Sequence, residues 1–156
     1  MELEYGVIKQ NLIAVGSKYE NGVHARWLFH GAGSAETLKK IVKDPKVGFK
    51  PWFNKRGLWG KGVYFARDAI YCLECPGVLT HCLNNQGYKM ILLCLVQAGL
   101  HCVGEQHIVE DMPEVHEDLP IQVRYDTFVD CPSNPEMFVV PQGGANAYPA
   151  YIIHFA

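Results

Sequence analysis

The fold turns on the stretch Gly57-Leu58-Trp59-Gly60-Lys61-Gly62-Val63-Tyr64-Phe65-Ala66. Its close glycines invite comparison with phosphate-binding loops. A dinucleotide fingerprint needs G-x-G-x-x-G at the turn that follows a strand and opens a helix. Here the spacing is different, and the glycines lead into an apolar run, Gly62 to Ala66, that reads as a strand. A P-loop would need Ser or Thr after Lys61, and Gly62 stands there instead. Both common α/β nucleotide folds are therefore disfavoured.

Upstream, Arg26 to His30 reads as a strand that stops at Gly31. Ser34 is a good N-cap, and Glu36 to Val42 carries helical spacing at Leu38, Ile41 and Val42, ending by Pro45. Asn11 to Val15 is a short apolar run punctuated by Gly16 and Gly22, and Lys46 to Gly60 is loop-like. Downstream, Arg67 to Leu83 holds a short helix interrupted by Pro76 and Gly77, and Lys89 to Gly99 is a buried strand. His101 to Leu119 is acidic and irregular. Gln122 to Val129, Glu136 to Val140 and Ala150 to Phe155 are further strands, with Gln142 to Asn146 as a hairpin turn. Helices sit early and strands dominate late, which is an α+β pattern rather than alternating βαβ.

The 156 residues suit one domain, taken as 1–156, and 49% hydrophobic with 19% charged residues is an ordinary globular balance. A net charge of −2 gives no global field for polyanions. Lys39, Lys40, Lys43, Lys46, Lys50, Lys55, Arg56 and Lys61 form a local basic run, read first as a solvated helix face and loop, and second as contacts to a pyrophosphate. No apolar run reaches membrane-spanning length. The acidic N-terminus lacks the features of a signal peptide, and six cysteines without one point to reduced thiols in an intracellular protein, cytoplasmic or nuclear.

Four ordered stretches carry a resemblance. They are Leu28-Phe29-His30-Gly31, Gly60 to Ala66, Arg124-Tyr125-Asp126-Thr127-Phe128-Val129-Asp130, and Met137 to Val140 followed by Ala147-Tyr148-Pro149-Ala150-Tyr151. In that order and spacing they resemble the poly(ADP-ribose) polymerase family, over about residues 26 to 155. The resemblance implies an ADP-ribosyltransferase fold of two packed, mainly antiparallel sheets with a few short helices around an NAD cleft. It implies that His30 bonds the adenosine ribose and that the Gly31 backbone holds the nicotinamide amide. It also places Tyr64 against the nicotinamide ribose and ring, with Ser34, Phe65 and Ala66 nearby. Taken alone, His30 would be a core or surface histidine and Tyr64 a core tyrosine; the ordered set outweighs those readings.

The chain departs from the family pattern at three places. A serine expected after the tyrosine motif is Cys72, a weak hydrogen-bonding group. A second stacking tyrosine is missing at its usual place, and Tyr71 is the substitute. The family's catalytic glutamate is replaced: counting from Tyr125 gives Met137, while counting back from Ala147 gives Phe138, a difference assigned to one extra residue in the glycine-rich turn. Glu136 is one residue away, and one residue on a strand reverses the side chain, so Glu136 is read as facing solvent. A methionine carries no charge, so the resemblance implies mono- rather than poly-ADP-ribosylation, with His30, Tyr64 and Met137 at the three catalytic positions.

The acceptor implied is a protein, through an acidic, serine or cysteine side chain, or a nucleic-acid phosphate. No membrane partner is expected, a monomer suffices, and the absence of a resemblance to the family's helical regulatory domain implies an open cleft. Cys72, Cys75, His81 and Cys82 have some zinc-ligand flavour, but there is no second C-x-x-C, so no metal is expected. His24, His101, His107, His116 and His154 are read as structural or surface residues. The rival function is a binding or interaction module of the same fold with weak or no catalysis. A further rival, an NAD-dependent RNA 2′-phosphate transferase, would need more arginines than Arg67 and Arg124.

Overall fold

The computed structural model describes residues 2–49, 58–74, 82–106, 112–115, 118–119, 121–141 and 143–156. The chain opens with helix α1 (Glu2–Ala14), where the sequence alone showed only a short apolar run at its end. Among its described side chains Ile8 and Leu12, one helical turn apart, are the buried ones, whereas Val7 and Ile13 are exposed. Apolar residues scattered round the helix hide its amphipathic signal. Strand β1 (Ala25–His30) and helix α2 (Ala35–Lys43) follow. Ser34 caps α2 by accepting the Thr37 N–H at 3.1 Å, and Leu38 and Ile41 are the buried face. Pro45 ends that helix but starts a one-turn helix α3 (Pro45–Gly48), where its missing N–H costs nothing.

Then come β2 (Val63–Ala66), α4 (Ala69–Glu74), β3 (Lys89–Gln97), β4 (His101–Val103), β5 (Thr127–Val129), β6 (Met137–Val140) and β7 (Ala147–Phe155). Pro76 and Gly77 lie outside the described residues, as do Lys50, Lys55, Arg56, His107 and His116. The third motif contributes only Thr127–Val129 as strand; Gln122 to Asp126 approaches it as extended chain with one bridge, Glu114 to Arg124.

The α+β class stands, but the strands form one seven-stranded sheet, in the order β4-β5-β6-β2-β1-β3-β7, rather than two packed sheets. The link is the β1–β2 pair, which joins the halves through the single register Phe29 to Ala66. Every pair is antiparallel except β4–β5. The glycine-rich turn is not a hairpin. A 3-10 turn, Gly143–Ala145, carries the chain from β6 across to β7, which pairs with β3 at the sheet edge. Gly144 lies against the Pro45 backbone, so this turn packs on α3 instead of closing two neighbouring strands.

Alternation along the strands sorts the core into two layers. Leu28, Phe65, Leu92 and Phe138 face α2 and α3 and meet Leu38, Ile41 and Phe49. Their neighbours Phe29, Ala66, Ile91 and Met137 face the other way and meet Cys72 of α4. The second layer is thinner, and it holds the candidate site.

Candidate active site

The end of β1 sets the site. Phe29 and His30 are adjacent on the strand and therefore project to opposite faces. The His30 ring packs against Phe49 and Phe65, with centroids 5.1 and 5.3 Å away. Its Nδ1 lies 2.8 Å from the Tyr64 carbonyl oxygen. A carbonyl only accepts, so Nδ1 carries the proton and Nε2 of the neutral ring is left as an acceptor. Burial pushes the imidazole below its ordinary pKa, against the opposing pull of the Tyr64 carbonyl. The ring is therefore neutral at pH 7.

Tyr64 is held at both ends. Its backbone carbonyl receives His30; its hydroxyl donates to the Gly60 carbonyl at 2.7 Å and accepts the Trp59 N–H at 3.1 Å. Desolvation raises the phenol's pKa, the Trp59 N–H offsets part of that, and the group stays protonated. The two glycines before β2 are steric necessities. A Cβ on Gly60, whose φ is +110°, would lie 2.8 Å from the Phe128 ring. A Cβ on Gly62 would lie 2.8 Å from a Val139 methyl and 2.9 Å from the Val140 carbonyl. They let β2 enter against β5 and β6.

Gly31, Tyr64, Phe65, Ala66, Tyr71, Cys72 and Met137 converge on one small apolar cavity of about 80 Å³, completed by Phe29. These are residues singled out from the sequence, except Phe29, which strand alternation beside His30 would have supplied. Cys72 and Met137 are buried and Tyr71 is half exposed. Two residues from the sequence set do not line the cavity. Ser34 is engaged as the α2 cap, and the His30 ring sits across the strand, reaching the site through Tyr64.

The strand register that places Met137 inward has a visible cause. The Asp130 carboxylate accepts the N–H groups of Cys131, Glu136 and Met137 at 2.9 to 3.1 Å, fixing where β6 begins. Met137 then pairs with Ala66, while Glu136 points out and contacts Arg67 at 3.2 Å. Arg67 also holds Asp68 and the Asn134 side chain. Among the described residues no carboxylate lines the cavity.

A larger groove of about 410 Å³ passes Arg26, Trp27 and Arg67. It shares no lining residue with the apolar cavity, so its size does not make it the chemical centre. Of the zinc-like set, Cys75 and His81 lie outside the described residues, Cys72 lines the cavity and Cys82 is buried in the core. His24 is buried and accepts the Glu20 N–H, a local structural role. Among the described residues no helix is long and apolar enough to cross a membrane.

No family model matches the chain. The solved PARP domain of Arabidopsis RADICAL-INDUCED CELL DEATH1 is similar in structure, with a TM-score of 0.61 at 15% sequence identity, covering 99% of this chain and 79% of that one. At that identity the likeness speaks for the fold. The chain has a PARP-like, ADP-ribosyltransferase-type fold.

Proposed function

We propose that this domain is an NAD-dependent mono-ADP-ribosyltransferase that attaches single ADP-ribose units to a protein acceptor and releases nicotinamide. The observation that carries the reading is the convergence of Gly31, Tyr64, Tyr71, Cys72 and Met137 on one cavity beside a histidine oriented by the same tyrosine. The residues fit the parts of NAD. A flat ring entering the cavity meets the Gly31 main chain without an intervening Cβ and two tyrosine rings. The His30 Nε2, an acceptor in the neutral tautomer, suits a ribose hydroxyl across the end of β1.

In the transfer, the acceptor oxygen or sulfur forms a bond to C1′ of the nicotinamide ribose as the C1′–nitrogen bond breaks. Nicotinamide takes the bonding electrons and leaves neutral, and the acceptor's proton, where it has one, passes to solvent. The chain's contribution is to hold and align the two ribosides and to exclude water with the apolar lining. Met137 supplies no charge, so a hydroxyl at the end of a growing chain gains no polarising partner. One unit is the expected product. The Cys82, Cys94, Cys102 and Cys131 thiols are free, which supports an intracellular setting.

The missing carboxylate also supports a second reading, a module that holds NAD or ADP-ribose without turning it over. Incubation with labelled NAD separates the two: label on protein with free nicotinamide supports transfer, and saturable binding without nicotinamide supports the module. His30→Ala should remove either signal while the protein stays folded.

A further inference from the structure

Strand β1 has one edge that the sheet leaves partly open. All six of its residues pair with β3, but only Phe29 pairs with β2, opposite Ala66. Continuing that antiparallel register would set Asp68 opposite Trp27. By Asp68 the chain has left the sheet. Arg67 donates its N–H to the Glu136 carbonyl at 2.8 Å, the Asp68 carbonyl accepts the Tyr71 N–H at 3.3 Å, and α4 starts at Ala69. The groove of about 410 Å³ lies at this gap, lined by Ala25, Arg26, Trp27 and Leu28 of β1 together with Arg67 and Leu95.

Two hydrogen bonds show which way the β1 backbone faces. The Ala25 carbonyl accepts the Gly22 N–H at 2.9 Å, outside the ladder with β3. Gln97, opposite Ala25, turns its own N–H away from β1 to the Asn146 carbonyl at 2.8 Å. In an antiparallel ladder the direction repeats at every second residue, so Trp27, like Ala25 and Phe29, aims its N–H and C=O away from β3. Gly22 occupies the Ala25 carbonyl and Ala66 occupies Phe29. The Trp27 N–H and C=O have no partner among the described residues. A donor and an acceptor side by side on a strand edge suit one residue of an extended peptide.

The side chains beside that edge define the peptide. The half-exposed Trp27 ring and Leu95 offer apolar surface to the residue that pairs with Trp27. Arg26 projects to the opposite face of the strand. Its Nε donates to the Val23 carbonyl at 3.0 Å and its guanidinium carbon lies 5.1 Å from the Phe138 ring centroid, yet no carboxylate pairs with it among the described residues. Burial, and then the neighbouring Arg67, push its pKa below the ordinary arginine value. Arg67 is already shared between Asp68 and Glu136, so the uncompensated charge of the groove is that of Arg26. Among the described residues no carboxylate lines the groove. One or two acidic side chains match a single guanidinium, whereas a nucleic acid meets no wider positive field on a chain of net charge −2.

We propose that this groove docks an extended acidic segment of a partner protein, with one apolar residue pairing its backbone to Trp27 and a flanking glutamate or aspartate reaching Arg26. The inference stands on the groove and does not require turnover of NAD.

The probe is the capped pentapeptide acetyl-Thr-Glu-Val-Glu-Thr-amide, whose two glutamates serve either strand direction. It is titrated into the whole protein and followed by two-dimensional NMR. The expected result is a saturable shift of the Trp27 backbone amide and of the Arg26 Nε–H. Replacing both glutamates by glutamine should weaken binding about tenfold, as should Arg26→Gln in the protein. Arg26→Gln also gives up the bond to Val23, so a second test leaves the protein untouched. Methylating the valine nitrogen of the peptide removes the donor for the Trp27 carbonyl and should likewise weaken binding about tenfold. No saturable shift at Trp27, equal binding of the glutamine peptide, or undiminished binding of the methylated peptide would overturn the proposal. So would an oligothymidylate that saturates the Trp27 shift at lower concentration than the peptide, which would assign the groove to nucleic acid.

Discussion

Asp126 makes a sharp prediction about stability and pH. Its carboxyl is pushed up to about 6, first by burial and against the opposing pull of the Leu100 N–H. The cause is visible in the turn between β3 and β4. Gly99, at φ +58°, lies so close that a Cβ there would meet the Asp126 carboxyl carbon at 2.6 Å. A carboxyl whose folded pKa is raised above its unfolded value favours folding while protonated. That contribution is full below the unfolded pKa of 3.8 and is lost as pH rises through about 6. Two pH units at about 1.4 kcal/mol each set an upper limit of about 3 kcal/mol, and residual solvent contact brings the expectation to about 1–3 kcal/mol. The assay is urea unfolding of the parent and of Asp126→Asn at several pH values from 4 to 8. The asparagine cannot ionise, so the variant should gain on the parent by about 1–3 kcal/mol between pH 4 and pH 7, then run parallel to it. Stability curves that stay parallel across the whole range would refute burial as the cause of the shift.

Other outcomes follow from the same geometry. Gly62→Ala forces a Cβ into Val139 and the Val140 carbonyl and should cost about 1–3 kcal/mol in thermal or urea unfolding; an unchanged midpoint would show that β2 and β6 can part freely. Glu136→Ala removes only the exposed contact to Arg67 and should leave NAD turnover within about twofold, since an exposed pair contributes at most about 1 kcal/mol. Met137→Ala opens the cavity and should cost about 2–5 kcal/mol of stability together with loss of NAD affinity; a variant pair with the opposite pattern would place Glu136 in the site. Met137→Glu should lengthen the attached products, read on a denaturing gel, and products unchanged in length would detach chain growth from this position.

The parts of the fold that sequence exposed were those with a strong local period. Leu38 and Ile41 are buried as their spacing implied, as are Met90, Ile91, Leu92, Cys94 and Val96 of the long strand, whereas Val42, grouped with Leu38 and Ile41 by the same spacing, is exposed. Ser34 caps its helix because a short hydroxyl side chain reaches the third backbone N–H. What failed depended on distant contacts. Helix α1 escaped because Tyr5, Val7 and Ile13 are apolar yet exposed. The supposed hairpin failed because Gly144 is needed where the chain touches Pro45, a contact nearly a hundred residues away that local turn chemistry does not encode. The single sheet hinges on one register between β1 and β2, which no pattern within either strand displays.

The candidate site was legible as a set of residues but not as an arrangement. The glycines before Val63 are required by Phe128, Val139 and Val140, so the motif's spacing is the imprint of close strand packing. The inward placement of Met137 rests on three N–H groups gathered by Asp130, and the alternation of strand β6 carried enough of that to set Glu136 apart. The position of the His30 ring across the strand from the cavity was not legible, because it depends on which face α3 covers with Phe49.

The most direct test of the central claim is quantitative release of nicotinamide from NAD by the purified protein, with label on protein measured in the same sample. Nicotinamide formed alongside single ADP-ribose units on the acceptor, and both lost in His30→Ala, is the predicted result. Absence of nicotinamide release, with label on protein no higher than in His30→Ala, would contradict it.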